Sequence, residues 1–457
     1  MRTVELFCGA GGLSLGLGRA GCEVVRALDV WPEAVAVYRA NLGEAAEVAD
    51  LSDLMVVAPA VAALRPDLIA GGPPCQDFSA AGPRVEGERA SLMVAFAMVV
   101  VVARPRWLLL ENVPRAKDSA AWAAARELLT RAGYGLTETV VDASRYGVGQ
   151  SRRRLIVVGR LGEADGFFAS AIRDAASARP TTIRDVLGGE VAEVVHAHPR
   201  VSGKRRLWSV DAPGPTIRES SRRPMPTGAV LIDSDAALLR AGAVYVRPFG
   251  GGRGVRSVDE PCLAIVRTSA ERPGPRYLSA PHRGDVLPVA EVPCLTREQA
   301  SRLQGFPAGW DWSPAGRLRN VDQMIANAVP SALGEAIGRA ILARDRGESV
   351  PAVEPGFSAW LRSRGVVVGQ VLRNRRAQLG RARRLLGGRI IADLAADIAA
   401  LEAAEGFAAL STGVRSDLRA ALRLHAEWRA LPPPESRRAR RAEVVPAEEM
   451  ADVRRAA

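Results

Sequence analysis

Residues 1 to about 161 alternate short apolar runs with stretches in which apolar residues recur every three or four positions. The first pattern is typical of strands and the second of amphipathic helices. The predicted strands are "TVELFC", "CEVVRALDV", "DLIAGG", "RWLLLENV", "LTETVVDA" and "RLIVVGRL", and the predicted helices cover 12–20, 32–41, 91–103 and 119–132. Strands that alternate with helices predict an α/β fold with a mostly parallel sheet covered on both faces.

The pattern changes after residue 161. Between 162 and 293, Pro, Gly and Arg interrupt short strand candidates, and helical periodicity fades. Helical periodicity returns at "TREQASRLQGF" and "QMIANAVPSALGEAIGRAILARD". The segment after Glu348 is rich in Ala, Arg and Leu, which predicts three or four helices. We therefore predict an α/β domain (1–161), a smaller irregular β-rich domain (162–293), a further helical stretch (294–345) and a helical extension (346–457).

Composition indicates a soluble globular protein, with 48% apolar and 25% charged residues. The longest apolar run, Leu92–Ala103, is shorter than the roughly 20 residues that cross a bilayer. The N-terminus lacks the basic, apolar and small-residue pattern of a signal peptide. We therefore expect a cytoplasmic protein without membrane contact. The five cysteines and four histidines are not spaced as metal ligands, so we expect no metal.

The net charge of +12 favours a polyanionic partner such as nucleic acid. A GC-rich genome is the simpler explanation for the preference for arginine over lysine, but it does not explain the excess of positive charge. Residues 351–457 hold 19 Arg and 12 Asp plus Glu, which gives +7 of the total. This segment either packs as a helical extension or contacts nucleic acid without sequence preference.

Several candidate site residues follow the predicted strands. The Gly-rich turn in "ELFCGAGGLSLGLGRAG" (5–21) allows backbone amides to approach a nucleotide-like ligand at a helix N-terminus. Asp29 ends the second strand, where an acid typically binds ribose hydroxyls, and Asp50 could end the third over the same crevice. Taken singly, each acid is more simply a helix cap or a solvated turn residue.

Cys75, in "GGPPCQDFSAAG" (71–82), follows the predicted strand "DLIAGG", which is the fourth when a strand ending at Asp50 is counted, and a thiolate there would be a strong nucleophile. A buried, inert thiol is the simpler explanation for a lone cysteine. Glu111 lies at the end of the next strand, where its carboxyl group could act as a general acid. In "GQSRRRLIVVG" (149–159), Gln150, Arg152 and Arg154 alternate, so they should share one face of a strand and hold phosphates or a polar base edge. The alternative is an edge strand with solvated arginines.

Together these motifs closely resemble the C5-cytosine DNA methyltransferase family. "ELFCGAGG" is similar to the family's cofactor loop, "GGPPCQDFSAAG" to its Pro-Cys loop, "ENVP" to its Glu-Asn-Val motif and "QSRRR" to its Gln-x-Arg-x-Arg motif. "REQASRLQGFP" (297–307) and "QMIANAVP" (323–330) resemble the last two motifs, and all six are in the usual order. The resemblance covers about 1–345 and implies that 294–345, which carries the final motifs, returns to the first domain. Glu5 and Ala326 replace a more usual Asp and Gly.

The resemblance implies a Rossmann-like class I methyltransferase fold and a covalent mechanism. Cys75 would attack C6 of a flipped cytosine, and Glu111 would donate a proton or hydrogen bond to N3. Arg152 and Arg154 would hold the flipped nucleotide. Two further loop residues, Gln76 and Ser79, would fill the gap or touch the backbone.

The resemblance also implies S-adenosylmethionine as methyl donor. Phe7 and Val30 would pack on its adenine, Asp29 would bind the ribose hydroxyls and Asp50 the amino group. The residues implied near the methionine part and the rest of the pocket are Gly9, Gly11, Gly12, Leu92, Asn327 and Ala328.

The implied partner is double-stranded DNA, bound by a monomer, with a restriction endonuclease or other defence-system protein as a further partner. Residues 162–293 would read sequence in the major groove, although most of their arginines would contact phosphates or be solvated. The candidate arginines are Arg218, Arg222, Arg223, Arg253 and Arg256. A tRNA substrate is disfavoured because the Cys-Phe-Thr tripeptide of that branch is missing. A catalytically silent paralogue is disfavoured because Cys75, Glu111 and Arg154 are all present.

Overall fold

The computed structural model describes the following residues: 1–74, 91–187, 195–196, 207–208, 243–245, 247, 253–257, 259–285, 295–351, 353–366 and 368–431. The strands are β1 Arg2–Leu6, β2 Glu23–Asp29, β3 Ala46–Val48, β4 Leu68–Gly71, β5 Trp107–Asn112, β6 Tyr134–Asp142, β7 Gln150–Ser151, β8 Arg153–Leu161, β9 Val195–His196, β10 Leu207–Trp208, β11 Ala243–Tyr245, β12 Val255–Ser257 and β13 Cys262–Leu263.

The α-helices described are α1 Gly12–Ala20, α2 Pro32–Leu42, α3 Leu54–Ala63, α4 Ser91–Ala103, α5 Ala120–Arg131, α6 Ala169–Asp174, α7 Ile183–Leu187, α8 Pro275–Ser279, α9 Arg297–Gln304, α10 Leu318–Asn327, α11 Ser331–Asp345, α12 Pro355–Ser363, α13 Gly369–Leu385, α14 Leu394–Glu402 and α15 Thr412–Arg429. Within the described ranges, no helix combines the length and apolar character that crossing a bilayer would require.

A seven-stranded sheet in the order β3-β2-β1-β4-β5-β8-β6 forms the centre of the first unit. β8 is antiparallel to both of its neighbours, and the other adjacent strands are parallel. All the residues of β4 and β5 are buried, because helices cover both faces. The predicted mostly parallel α/β sheet is confirmed, and its parallel strands β1, β2, β4 and β5 direct their carboxyl ends to one edge.

The final motif segment returns to this sheet through close packing of α1 on α11. Gly16 on α1 has no side chain, and a Cβ there would collide with the carbonyl oxygen of Ser331. Gly334 and Gly338 on α11 face Leu13 and Leu17 of α1 in the same way, with the nearest side-chain atoms 2.9 and 3.0 Å from a Cβ. Three glycines therefore let the two helix backbones approach closely and bring residues 327–331 beside the first turn.

The described chain divides into two compact units, one of Met1–Pro351 with Gly387–Ala392 and one of Ala352–Leu386 with Asp393–Ala457. The second unit contains α12 to α15. Its core includes Phe357, Leu379, Leu401 and Leu418.

Gly387–Ala392 belongs to the first unit, whereas the sequence predicted one uninterrupted extension from residue 346. The Ile390 amide donates to Glu163 Oε2 at 2.6 Å, and the Ala164 amide donates to the Ile390 carbonyl at 2.7 Å. The buried Arg344 guanidinium also donates to the Gly388 carbonyl oxygen. Because Glu163 and Arg344 are both buried, their charged groups need these partners, and hydropathy along the chain does not reveal them.

Candidate active site at the sheet edge

The turn after β1 is held open by an unusual backbone conformation. Phe7, Gly9 and Gly11 all have positive φ angles, of 60°, 51° and 91°. Such an angle is rare for an aromatic residue and is typical of functional turns. A Cβ on Gly9 would meet no atom within 4 Å among the described residues, so this side of the turn faces open space.

Asp29, at the end of β2, fixes this turn. Its Oδ2 accepts a hydrogen bond from the Gly9 amide at 2.7 Å, and its Oδ1 accepts one from the Trp31 amide at 2.9 Å. Burial raises the pKa of Asp29, although these amide bonds oppose the shift. Its neighbour Val30 leaves 62% of its surface exposed beside the carboxylate. The acid at this position therefore orders the turn and keeps lone pairs for a ligand.

Asp50 follows β3, which pairs with β2. The Ala49 amide donates to the Asp29 carbonyl at 2.9 Å, which brings the Asp50 backbone beside the end of β2. Asp50 is exposed, and its Oδ1 accepts from the amide (2.9 Å) and hydroxyl (2.7 Å) of Ser52. These hydrogen bonds lower the pKa of Asp50. Leu92, on the first turn of α4, is half-buried.

The first and last motifs meet at Gly12. A Cβ on Gly12 would lie 2.5 Å from the Val329 carbonyl oxygen and 3.2 Å from Ala328 Cβ. Asn327 ends α10, and its Oδ1 accepts a hydrogen bond from Gln323 at 2.7 Å. Gly12 and the segment 327–329, about 315 positions apart in sequence, therefore line the same turn. Only glycine fits at position 12, where the two segments touch.

A buried polar chain lies beneath the turn. The hydroxyl of Tyr38 donates to Ser14 Oγ at 2.9 Å, and Ser14 donates to Glu5 Oε2. Burial raises the pKa of Glu5 to about 8, and the hydrogen bond from Ser14 opposes the shift. Sequence reasoning noted Glu5 only as a departure from the family's usual Asp. It missed Ser14 and Tyr38, whose signal was their position on the inward faces of α1 and α2.

Glu111, at the end of β5, lies beside the segment that leads to Cys75. Its Oε2 would be 3.3 Å from a Cβ on Gly72, and its Oε1 is 2.8 Å from Arg154 Nε. The geometry at Oε1 does not meet the requirements of a hydrogen bond, so this contact is an ion pair that leaves hydrogen-bonding capacity on the carboxyl group. Asn112 Nδ2 donates to the Pro73 carbonyl at 3.1 Å and fixes the backbone two residues before Cys75.

Gln150, Arg152 and Arg154 do not share one continuous strand, because β7 ends at Ser151 and β8 begins at Arg153. Their side chains nevertheless lie more deeply than the exposed Ser151 and Arg153, as the alternation predicted. The break occurs because β7 leaves the main sheet to pair with β13, so that Gln150 is opposite Cys262.

Arg152 and Gln150 tie three distant segments together. Arg152 is 3% exposed, and its guanidinium donates to the carbonyls of Ile265 (3.1 Å) and Ala326 (2.9 Å). Gln150 donates to the Leu303 carbonyl at 3.0 Å and accepts from the Ile265 amide at 2.7 Å. Sequence reasoning proposed that Arg152 holds the nucleotide and missed these main-chain partners, because no local pattern reveals them.

Arg253 and Arg256 are the candidate DNA-reading arginines that fall within the described residues. Both form ion pairs with Glu260, and the Arg256 Nη1–Glu260 Oε2 distance is 3.5 Å. The other predicted residues, Cys75, Gln76, Ser79, Arg218, Arg222 and Arg223, lie outside the described residues. In the part of the chain that is described, His, Cys, Asp and Glu do not gather in groups of three that could hold a metal.

Comparison with known families identifies the chain. The family model described as C-5 cytosine-specific DNA methylase matches residues 1–343. The chain therefore belongs to this family, and the resemblance drawn from its motifs is confirmed. It is an enzyme that methylates DNA cytosine at C5.

Similar proteins share most of this chain. Type II methyltransferase M.HindV of Haemophilus influenzae is 33% identical over 344 residues, covering 75% of this chain and 96% of that protein. Type II methyltransferase M.HgiDI of Herpetosiphon aurantiacus is 38% identical over 332 residues, covering 72% and 90%. The structure of the Entamoeba histolytica methyltransferase EhMeth covers 76% of this chain and 98% of its own, with 16% identity and a TM-score of 0.50. This last likeness concerns the fold alone.

Proposed function

We propose that the enzyme methylates a flipped-out cytosine in duplex DNA through a covalent adduct of Cys75. The observation that carries the proposal is the position of Glu111 beside Gly72, paired with Arg154, at the edge where Asn112 fixes Pro73. The segment that precedes Cys75 and the acid that the family resemblance implies therefore follow adjacent parallel strands to the same edge of the sheet.

The chemistry requires a nucleophile because C5 of cytosine is a poor nucleophile by itself. The Cys75 thiolate adds to C6, and Glu111 donates a proton or hydrogen bond to N3, which leaves an enamine-like C5. Once C5 carries the methyl group, loss of its proton and expulsion of the thiolate restore the aromatic ring. Because the ring is out of reach inside a duplex, the base must flip out, which costs a few kcal/mol.

The three cysteines that the structure describes are unsuited to act as the nucleophile. Cys8 and Cys22 are buried, and burial raises the pKa of each thiol. Burial raises the pKa of Cys262 to about 12. A thiol that stays protonated is a poor nucleophile. These three are therefore structural, which supports the assignment of the reaction to Cys75.

The turn after β1 fits S-adenosylmethionine, which supplies a methyl group as an electrophile. The open space at Gly9 and the partly free carboxylate of Asp29 suit a nucleoside with ribose hydroxyls. Phe7, Val30 and Leu92 would provide apolar contacts, and Asp50 would accept from the amino group. The residues that would complete the pocket are Gly11, Gly12, Asn327 and Ala328.

Arg152 and Arg154 have different roles in this proposal. Arg154 would hold Glu111 and the flipped nucleotide together, because it already pairs with the carboxylate. Arg152 would position the site by holding the carbonyls of Ile265 and Ala326. The relatives named Type II methyltransferases favour a restriction-modification role, with a cognate endonuclease as partner.

The test incubates the full chain with methyl-labelled S-adenosylmethionine and either duplex DNA or tRNA, and maps the modified bases. We expect label on cytosine C5 of duplex DNA at one sequence. Label on adenine, or on tRNA alone, would overturn the proposal.

A duplex with 5-fluorocytosine at the mapped position tests the nucleophile, because fluorine does not leave as the proton does. The wild-type protein and a Cys22→Ala control should form a stable covalent adduct. Cys75→Ala should form none. An adduct with Cys75→Ala would exclude Cys75 as the nucleophile.

A further inference from the structure

Helix α13 (Gly369–Leu385) concentrates the positive charge of the second unit. Its sequence, "GQVLRNRRAQLGRARRL", contains six arginines and neither Asp nor Glu. Its inward face is apolar, with Leu372, Leu379 and Ala382 buried in the core of the unit. A helix with this composition and a buried stripe must place most of its cations on one outward face.

Arg373, Arg376, Arg381 and Arg384 form this outward face, and all four are exposed. At 3.6 residues per turn, Arg373 and Arg384 lie about three turns apart on nearly the same line. The other two lie to either side of that line. Arg383 lies at the border of the buried stripe, where its Nη1 donates to Asp397 Oδ1 at 2.8 Å. We call the four exposed arginines the α13 face.

The α13 face differs in its partners from several other arginines of the unit. Arg364, Arg419 and Arg429 form ion pairs with Glu427, Glu402 and Glu354. Among the described residues, no ion pair involves a member of the α13 face. Arg373 donates instead to the neutral Gln370 at 2.7 Å. Like charges three residues apart destabilise a helix, so an anionic partner would relieve a repulsion that the unit leaves uncompensated.

Small and neutral residues separate these arginines. Ala377 and Gly380 lie on the same side between Arg376 and Arg381, so no bulky side chain there keeps a partner away from the helix. The guanidinium of Arg384 lies over Gly380, with Nη1 3.6 Å from a Cβ placed there. The face has no large apolar side chain that could enter a membrane or anchor a protein interface. It suits a polyanion that is bound through charge alone.

We propose that the α13 face binds the phosphate backbone of duplex DNA without sequence preference, as a contact additional to the catalytic site. Arg373 to Arg384 spans about 16 Å at 1.5 Å per residue. That length matches about five phosphates of one strand, at about 3.4 Å each along the duplex axis. The inference rests on duplex DNA being the substrate and is independent of the Cys75 mechanism.

The test measures binding of the full chain to a fluorescent duplex of mixed sequence by anisotropy between 50 and 200 mM salt. The variant carries Arg373→Gln, Arg376→Gln, Arg381→Gln and Arg384→Gln, and glutamine has nearly the same helix propensity as arginine. Each phosphate contact contributes about 0.9 to the slope of log K against log salt, so we expect the slope to become shallower by about 2 to 4. The anisotropy measurement detects DNA binding and does not require methyl transfer. Failure of the catalytic proposal therefore does not affect its result.

A matched control removes the same charge from the other helices through Arg362→Gln, Arg364→Gln, Arg415→Gln and Arg423→Gln. We expect its slope to stay within about 1 of the wild type. A second version with lysine at the four α13 positions keeps the charge and should restore the slope. An unchanged slope in the glutamine variant, or an equal fall in the control, contradicts the proposal. The same variants are also tested for binding to phosphatidylserine vesicles. If the glutamine variant loses vesicle binding while its DNA binding is unchanged, the proposal is likewise contradicted.

Discussion

The carboxyl edge of the sheet in the first unit and the α13 face of the second unit both use arginine, but they hold it differently. At the sheet edge, Arg152 is buried and bound to main-chain carbonyls, and Arg154 pairs with Glu111. On α13, Arg384 is exposed and points away from the protein, one residue after the buried Arg383.

The difference shows what each environment allows the same side chain to do. A buried guanidinium must satisfy its donors inside the protein, so it holds the groups that it contacts in one arrangement. An exposed guanidinium keeps its hydration and attracts anions over about 10 Å, an attraction that salt weakens. The first kind can position chemistry, and the second can gather a polyanion.

The largest effect should come from the carboxyl group at the sheet edge. Glu111→Gln removes the acid that serves N3 and the ion pair with Arg154, so the rate constant of methyl transfer should fall by about 10² to 10⁴. Single-turnover transfer of labelled methyl to duplex DNA measures it. Glu138→Gln is the matched control, because it breaks an ion pair with Arg126 at 2.8 Å on β6 and should leave turnover unchanged. Equal rates in the two variants would remove Glu111 from the mechanism.

Neighbouring arginines on α13 should differ strongly in their effect on stability. Arg383→Gln removes the guanidinium that pairs with the buried Asp397, which should lower the free energy of unfolding of the second unit by about 3–5 kcal/mol. Arg384→Gln changes an exposed residue and should alter it by less than about 0.5 kcal/mol. Hydrogen exchange at the amides of α13 to α15 in the full chain measures both. Similar losses in the two variants would mean that the two sides of the helix are not distinct.

The buried polar chain beneath the first turn should give a smaller effect that depends on pH. The ordinary carboxyl pKa is 4.5, and burial raises the pKa of Glu5 to about 8 in the folded protein. Between these values the folded state binds the proton more tightly than the unfolded state. The free energy of unfolding therefore falls as pH rises through this window, by at most about 1.4 kcal/mol per pH unit.

Glu5→Gln cannot ionise and should lose this dependence. The difference in the free energy of unfolding between Glu5→Gln and the wild type should grow from about pH 4.5 to about pH 8 and then level off. Urea unfolding over that range measures it. A difference that stays constant with pH would show that Glu5 is not held protonated by its burial.

The sequence predicted the features that follow from local pattern. The predicted strand over "RWLLLENV" is β5, and Glu111 stands at its end as expected. The Gly-rich turn and the acid after β2 also follow from sequence, because strand periodicity and glycine placement are local properties. Their identification as family motifs is confirmed by the match over residues 1–343.

Long-range partners were beyond sequence reasoning. The alternation of Gln150, Arg152 and Arg154 was visible, but their carbonyl partners at residues 265, 303 and 326 were not. Nor did the sequence show that Gly387–Ala392 belongs to the first unit. A hydrogen bond across more than 100 residues depends on where the backbone turns, and no local pattern encodes this.

The sequence by itself determined the family, the sheet and the candidate nucleophile and acid, because these depend on residue type and periodicity. Only the tertiary structure decided which charged groups are paired inside the protein and which remain exposed to a partner. Arg383 and Arg384 are chemically identical neighbours, and the packing of α13 on the core buries one and exposes the other. The physical reason is that burial obliges a charge to find an internal partner, whereas water leaves it free to bind elsewhere.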